Sequence, residues 1–153
     1  MILSGRDIQL RAGMIEPFTV RQVFNGMSYG LSSAGYDVRI DQDLMILPGG
    51  FSLASTMERF DMPPDLVGIV HDKSTLARMG LTVQNTVIEP GWAGWLTLEI
   101  TNHGHSLISL PKGAPIAQIL FHVMSSPAER GYSGKYQNQE RGPQSARFEN
   151  PNG

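Results

Sequence analysis

The stretch DKSTLARMGL, residues 72–81, concentrates the groups that bind anions. Asp72 to Arg78 has the pattern of one helical turn, with Asp72 or Ser74 as its cap and Leu76 and Met79 three residues apart. The start of such a turn offers unpaired backbone N–H groups, and phosphate oxygens are good partners for them. The hydroxyls of Ser74 and Thr75 and the ammonium of Lys73 would stand beside those groups. The same residues also describe an ordinary capped turn with solvated charges. Arg78 follows Ser74 by four, so a helical turn places both on one face, and Arg78 either reaches the same anion or serves as a surface or ion-paired arginine. Two acids lie further on. Glu89 precedes the turn PGWAG (90–94). Glu99 lies in LTLEIT (96–101), where strict alternation puts Leu96, Leu98 and Ile100 on one side and Thr97, Glu99 and Thr101 on the other. Glu99 therefore looks away from the core, and taken alone it reads as a solvated acid. Gln118, in the apolar run AQILF, is an amide that needs partners once buried. Trp92 and Trp95 in the turn read first as packing.

Metal chemistry finds little support. The chain has no cysteine, which removes disulfides, thiolate zinc sites and the zinc-dependent base deaminases built on them. The histidines at 71, 103, 105 and 122 show no ligand spacing, and His103 and His105 fall in a glycine-containing turn expected at the surface.

These groups need a scaffold, and 153 residues with 41% hydrophobic and 17% charged content suit one globular domain. Seventeen glycines and ten prolines punctuate short apolar runs, the pattern of an all-β barrel or sandwich. Ser4 to Leu10 predicts a short helix capped by Ser4. Strands are expected over 33–40, 51–56, 66–70, 82–88, 96–101, 107–110 and 116–123, with a turn at PGG (48–50). From about Ser125 onward the chain is polar and reads as a mobile segment. That divides the sequence into a domain over 1–125 and a tail over 126–153. A net charge of −2 gives no reason to expect a nucleic acid partner. The start, MILSGRDIQL, lacks a signal-peptide pattern and no apolar run approaches membrane-spanning length, so a cytoplasmic protein away from membranes is expected.

Four stretches taken in order resemble the dCTP deaminase family: SSAGYDVRI (32–40), DKSTLARMGL (72–81), IEPGWAGWLTLEITN (88–102), and the pair GAPIAQILF (113–121) and GKYQNQERGP (134–143). The resemblance covers nearly the whole chain. It implies the fold shared with dUTP pyrophosphatase, a distorted β-barrel with one or two short helices, assembled as a homotrimer with sites between subunits. The implied reaction is zinc-independent hydrolysis of dCTP to dUTP and ammonia. Glu99 takes the family's general base and acid position, since water must lose a proton to attack C4 and the departing amine must gain one. The resemblance places Arg78 beside that glutamate. Arg78 and Ser74 would orient the water, and Lys73, Ser74 and Thr75 would cradle the triphosphate. The strand QNTVIE, with Asn85 and Val87, would present backbone groups to the pyrimidine edge, with Glu89 on the sugar and Trp92 lining the pocket. Gln118 would lie near the triphosphate, and the tail would close over it as a lid through Tyr132, Lys135 and Gln139. Magnesium would ride with the triphosphate, held by phosphate oxygens and water.

One departure matters. Dutpases of this fold carry an aspartate where this chain has Glu89, and a longer acid changes the placement needed for in-line attack on phosphorus. A dUTP pyrophosphatase, or a bifunctional enzyme giving dUMP and pyrophosphate, is the alternative reading. A non-catalytic nucleotide-sensing or protein-binding regulator is a third, and it predicts binding without turnover; dUTP and dTTP are further candidate ligands.

Overall fold

The computed structural model describes residues 1–149. The final four residues of the expected lid, 150–153, lie outside the described residues. The chain opens with α1 (Gly5–Leu10), and Ser4 caps it as expected, its hydroxyl oxygen accepting from the Asp7 N–H at 3.3 Å. Strands β1 (Ile15–Glu16), β2 (Gln22–Phe24) and β3 (Met27–Leu31) follow. The sequence reading had no strands here, although Asn25–Gly26 joins β2 and β3 as a two-residue hairpin with both φ angles positive, the geometry that this dipeptide favours. Next come β4 (Tyr36–Arg39), β5 (Leu44–Ile46), β6 (Phe51–Asp61), β7 (Leu66–Asp72), α2 (Ser74–Ala77), β8 (Leu81–Val83), β9 (Val87–Ile88), β10 (Ala93–Asn102), β11 (Ile108–Leu110) and β12 (Pro115–Val123).

Every strand pairing is antiparallel. One sheet runs β1-β6-β10-β8, a second β2-β3-β4-β12-β7-β9, and β5 pairs β11 in a small third sheet. The expected fold class, nearly all β with two short helices, is what the chain adopts. The expected distorted barrel does not close: the sheets remain separate among the described residues. The single strand expected over 82–88 breaks at Gln84–Thr86, where the Thr86 N–H donates to the Gln84 carbonyl at 2.9 Å in a tight turn. The chain thereby crosses from β8 in the four-stranded sheet to β9 in the six-stranded one. Between the two large sheets lies the core, with Val38, Ala54, Phe60, Val70, Leu98, Ile100, Ile119 and Phe121 fully buried.

The core also carries charge. Glu58 is completely buried on β6 and accepts from the backbone N–H of Arg39 at 3.0 Å and from its Nε at 2.8 Å. Lys73 Nζ lies 3.0 Å from Asp37 Oδ2, both side chains at 9% exposure. Neither Asp72 nor Ser74 caps α2; Lys73 occupies the cap position without a side-chain bond. Asp72 instead accepts from the Val83 N–H at 2.7 Å and ties the end of β7 to β8.

The tail, read as mobile from its composition, lies against the rest of the chain as far as Ala146. Gln139 bridges Gly94 in parallel, and the Trp95 N–H donates to the Gln139 carbonyl at 3.1 Å. Gln137 accepts from the Ala93 N–H at 2.9 Å and donates to the carbonyls of Gly91 and Tyr132, each at 2.8 Å. Arg141 forks onto Asp41 through Nε and Nη2. Composition reads such a segment as unfixed because it carries few apolar groups. Here amides and backbone groups supply the contacts.

Candidate functional site

Strand β10 places Glu99. A bulge between Trp95 and Thr97 resets its register against β6, after which Thr97 faces Ser55, Glu99 faces Leu53 and Thr101 faces Phe51. Leu98 and Ile100 are fully buried, so the expected alternation holds from Thr97 onward and Glu99 stands on the opposite face from the core, while Leu96, at the bulge, borders the cavity rather than the core face expected for it. That face is not open solvent. A cavity of about 460 Å³ lies over it. Phe51, Leu53 and Leu96 form its floor with Thr97 and Glu99, the segment from Thr86 to Glu89 with Trp92 forms a wall, and Tyr132, Tyr136, Gln139, Gln144 and Ala146 of the tail cover it.

Glu99 Oε2 is buried there without a hydrogen-bond partner among the described residues. Loss of water around the carboxyl raises its pKa above the usual glutamate value, with only its own backbone N–H opposing. A carboxylate kept in an apolar recess with one oxygen unpaired is poised to take a proton from a ligand. Of the other residues singled out in the sequence, Val87, Glu89, Trp92, Tyr132 and Gln139 border the same cavity. Trp92 is buried packing as well as lining, its indole N–H donating to the Tyr136 carbonyl at 2.6 Å. Gln139 is turned inward, its amide donating to the Trp95 carbonyl and to Thr97 Oγ1, each at 2.8 Å.

The rest stand elsewhere. Ser74, Thr75 and Arg78 are exposed on and just after α2, and Asn85 is exposed in the break between β8 and β9. Lys73 has its ammonium committed to Asp37 and turned inward. Gln118, half-buried on β12, donates to Ser32 Oγ at 3.1 Å. Lys135 is exposed with its ammonium 5.5 Å from the Tyr136 ring centre. None of these seven borders the cavity. A single protomer thus holds the Glu99 recess and the α2 cations as two separate surfaces. Sequence reasoning also missed lining and clamping residues. Phe51 and Leu53 follow from the alternation of β6 once its register with β10 is known. Gln137 and Gln144 carry no sequence signal beyond a polar tail.

The geometry agrees with what similarity to known proteins finds. Residues 36–124 match the dCTP deaminase-like domain. The dCTP deaminase of Acidobacterium capsulatum is 37% identical, over 91% of this chain and 95% of that protein. That alignment spans 174 positions, more than the chain's 153 residues, so the relative carries insertions that this chain lacks. A dCTP deaminase described as dUMP-forming, from Methanopyrus kandleri, is 42% identical over 66% of this chain and 55% of its own length. Among solved structures, the EIAV dUTPase superposes with a TM-score of 0.59 and 25% identity, covering 80% of this chain and 98% of that one. Matched domain, near full-length relatives and shared fold together make this chain a member of the dCTP deaminase-like family.

Proposed function

We propose that the protein hydrolyses dCTP to dUTP and ammonia at the cavity over β10, with Glu99 as the proton-transfer group. The observation that carries this reading is the buried, unpartnered Oε2 of Glu99, facing a recess of about 460 Å³. In the reaction, the ionised carboxylate takes a proton from water as the water oxygen bonds to C4 of cytosine. The C4–N bond then breaks, that proton leaving with the amine as ammonia, while the proton of the new C4 hydroxyl passes to N3 and C4 becomes the carbonyl of uracil. Phe51, Leu53 and Val87 give the base an apolar bed, and backbone groups of 84–89 read its edge. Glu89 holds the sugar beside Trp92.

Among the described residues, no lysine or arginine lines the cavity to meet a triphosphate. Ser74, Thr75 and Arg78 supply that chemistry from a neighbouring copy, so the working unit is a homotrimer with sites between subunits. Ser74 then accepts the second proton of the water held against Glu99, and Arg78 faces the developing charge. The Lys73–Asp37 pair leaves Lys73 as a support for α2 unless ligand binding frees it, and Gln118 acts through Ser32. The nucleotide enters as its magnesium complex. No group of three or more acidic or histidine side chains among the described residues is placed to hold a metal, which favours an ion carried by phosphate oxygens. The lid over 126–153 brings Tyr132 and Lys135 to the triphosphate, while Gln139 keeps it closed through Trp95 and Thr97. Among the described residues no helix is long and apolar enough to cross a membrane; the enzyme is placed in the cytoplasm as part of this reading.

A second reading has its own support. Glu89 borders the same cavity as Glu99, so a carboxylate is available for activating water against phosphorus, which would give dUMP and pyrophosphate. Incubation with dCTP, and separately with dUTP, in magnesium and with products resolved by chromatography, decides between them. Conversion of dCTP to dUTP with dUTP left intact supports deamination alone. Accumulation of dUMP supports the bifunctional reading, and binding without any product would overturn both in favour of a nucleotide sensor.

A further inference from the structure

Thr97 lies two residues before Glu99 on the same face of β10 and borders the same cavity. It is 8% exposed. Its hydroxyl oxygen accepts two hydrogen bonds, one from the Gln139 side-chain amide at 2.8 Å and one from the Gln144 backbone N–H at 3.0 Å. A threonine hydroxyl has two acceptor lone pairs and one proton to donate. Both lone pairs are taken by the tail, and the proton has no acceptor among the described residues. With the tail docked, Thr97 can act toward the cavity only as a donor. Glu99 Oε2, its neighbour, is unpartnered and when ionised acts only as an acceptor.

We infer that Thr97 is a positioning residue for the attacking water, held as a donor by the docked tail and working opposite the Glu99 carboxylate. Same-face neighbours on a strand have Cα atoms about 6.4–6.8 Å apart, and two hydrogen bonds through a water span about 5.6 Å, so side chains that lean together can share one water molecule. Such a water accepts from Thr97 with one lone pair and gives a proton to Glu99, which leaves its second lone pair free to attack. The same two bonds fix its orientation. Tail closure and water alignment thereby meet at one hydroxyl. The inference rests on the deaminase reading.

Thr97→Val and Thr97→Ser, assayed with dCTP beside wild type, test it. T97V is expected to lower kcat by roughly 10–100-fold with KM little changed, since a misplaced reactant costs up to about that factor. Its acid limb should move to higher pH, because the water that donates to Glu99 is no longer held. T97S should restore both. T97V also removes the acceptor for Gln139 and Gln144, so tail docking is followed separately through Trp92 fluorescence. A merely structural anchor predicts a raised KM and a fluorescence change without a shifted pH profile, and that result overturns the proposal. T97V at wild-type kcat does so equally. A wild type inert on dCTP would bring down the deaminase reading and this proposal with it, whereas an active wild type beside an equally active T97V overturns the proposal alone.

Discussion

Two glutamates with buried carboxyl oxygens in this protein meet opposite fates. Glu58 is fully buried, and Arg39 satisfies it twice, through its backbone N–H and its Nε. Burial still raises its pKa, with the Arg39 bonds and charge opposing. Removing the arginine strands that carboxylate, so Arg39→Met should cost about 3–5 kcal/mol in a denaturant melt. A cost below about 1 kcal/mol would show that the pair behaves like a surface salt bridge. Glu99 has no such partner for Oε2, and its pKa is raised by loss of water. A carboxyl whose folded pKa lies above its unfolded value favours folding through its protonated form. As pH rises past the ordinary glutamate range, its ionisation works against the fold. Glu99→Gln should therefore melt higher than wild type at neutral pH, with the gap closing as pH falls below that range. The same variant should lose turnover by roughly 10²–10⁴-fold while calorimetry still detects nucleotide binding. Near-normal turnover would remove Glu99 from the chemistry. A gap that widens toward acid would reverse the assigned sign of its shift.

At the scale of the element, β10 must present Glu99 on one face and receive the tail along its start. Gly94 makes the second task possible. Its φ is 144°, and a Cβ there would stand 2.7 Å from both the backbone N and O of Gln139. Gly94→Ala adds strain of about 1–3 kcal/mol and pushes on the docked backbone, so the tail should open more often. Limited trypsin digestion after Lys135 and Arg141 reads this, and cleavage should rise roughly tenfold or more; an unchanged rate would mean that the tail does not rest on Gly94. The same strand shows why parts of the fold were readable in advance. One side of β10 packs into the core while the other faces the cavity, so its alternation survives in the residue types. Strands β2 and β3 offer no such contrast: their side chains are mostly half-buried or exposed, and only the Asn25–Gly26 turn marks them. The break at Gln84–Thr86 is set by which sheet each half joins, a tertiary choice that periodicity does not encode. The tail eluded composition because its anchors, Gln137, Gln139 and Arg141, are polar side chains whose value depends on partners distant in sequence. For the site, Glu99, Glu89, Val87 and Trp92 came together where spacing along one turn and two strands put them. Lys73 did not, because its ion pair with Asp37 lies 36 residues back along the chain.

At the scale of the molecule, the separation of the Glu99 recess from Ser74, Thr75 and Arg78 argues for assembly. Phe51 and Val87 border the recess yet are 61% and 50% exposed, and Met45 and Leu47 on and beside β5 are each 69% exposed. Apolar side chains left open in this number are what a subunit contact covers. If one copy supplies Glu99 and the next supplies Arg78, two separately dead variants should rescue each other. Glu99→Gln and Arg78→Ala, each inactive alone, are refolded together in equal amounts, and the trimer is checked by light scattering. In a closed ring each site draws its glutamate from one subunit and its arginine from the neighbour. With random mixing both are intact in about one quarter of the sites, so about a quarter of wild-type dCTP turnover should return. Refolding each variant alone gives the baseline. A mixed trimer that stays at that baseline would place both residues in one subunit's site, and the chain would then have to bring α2 to the Glu99 recess within a single copy. Helix α2 packs on β8, which pairs with Ile100–Asn102 of β10, so that outcome would require α2 to turn its exposed face toward the recess from within the same sheet.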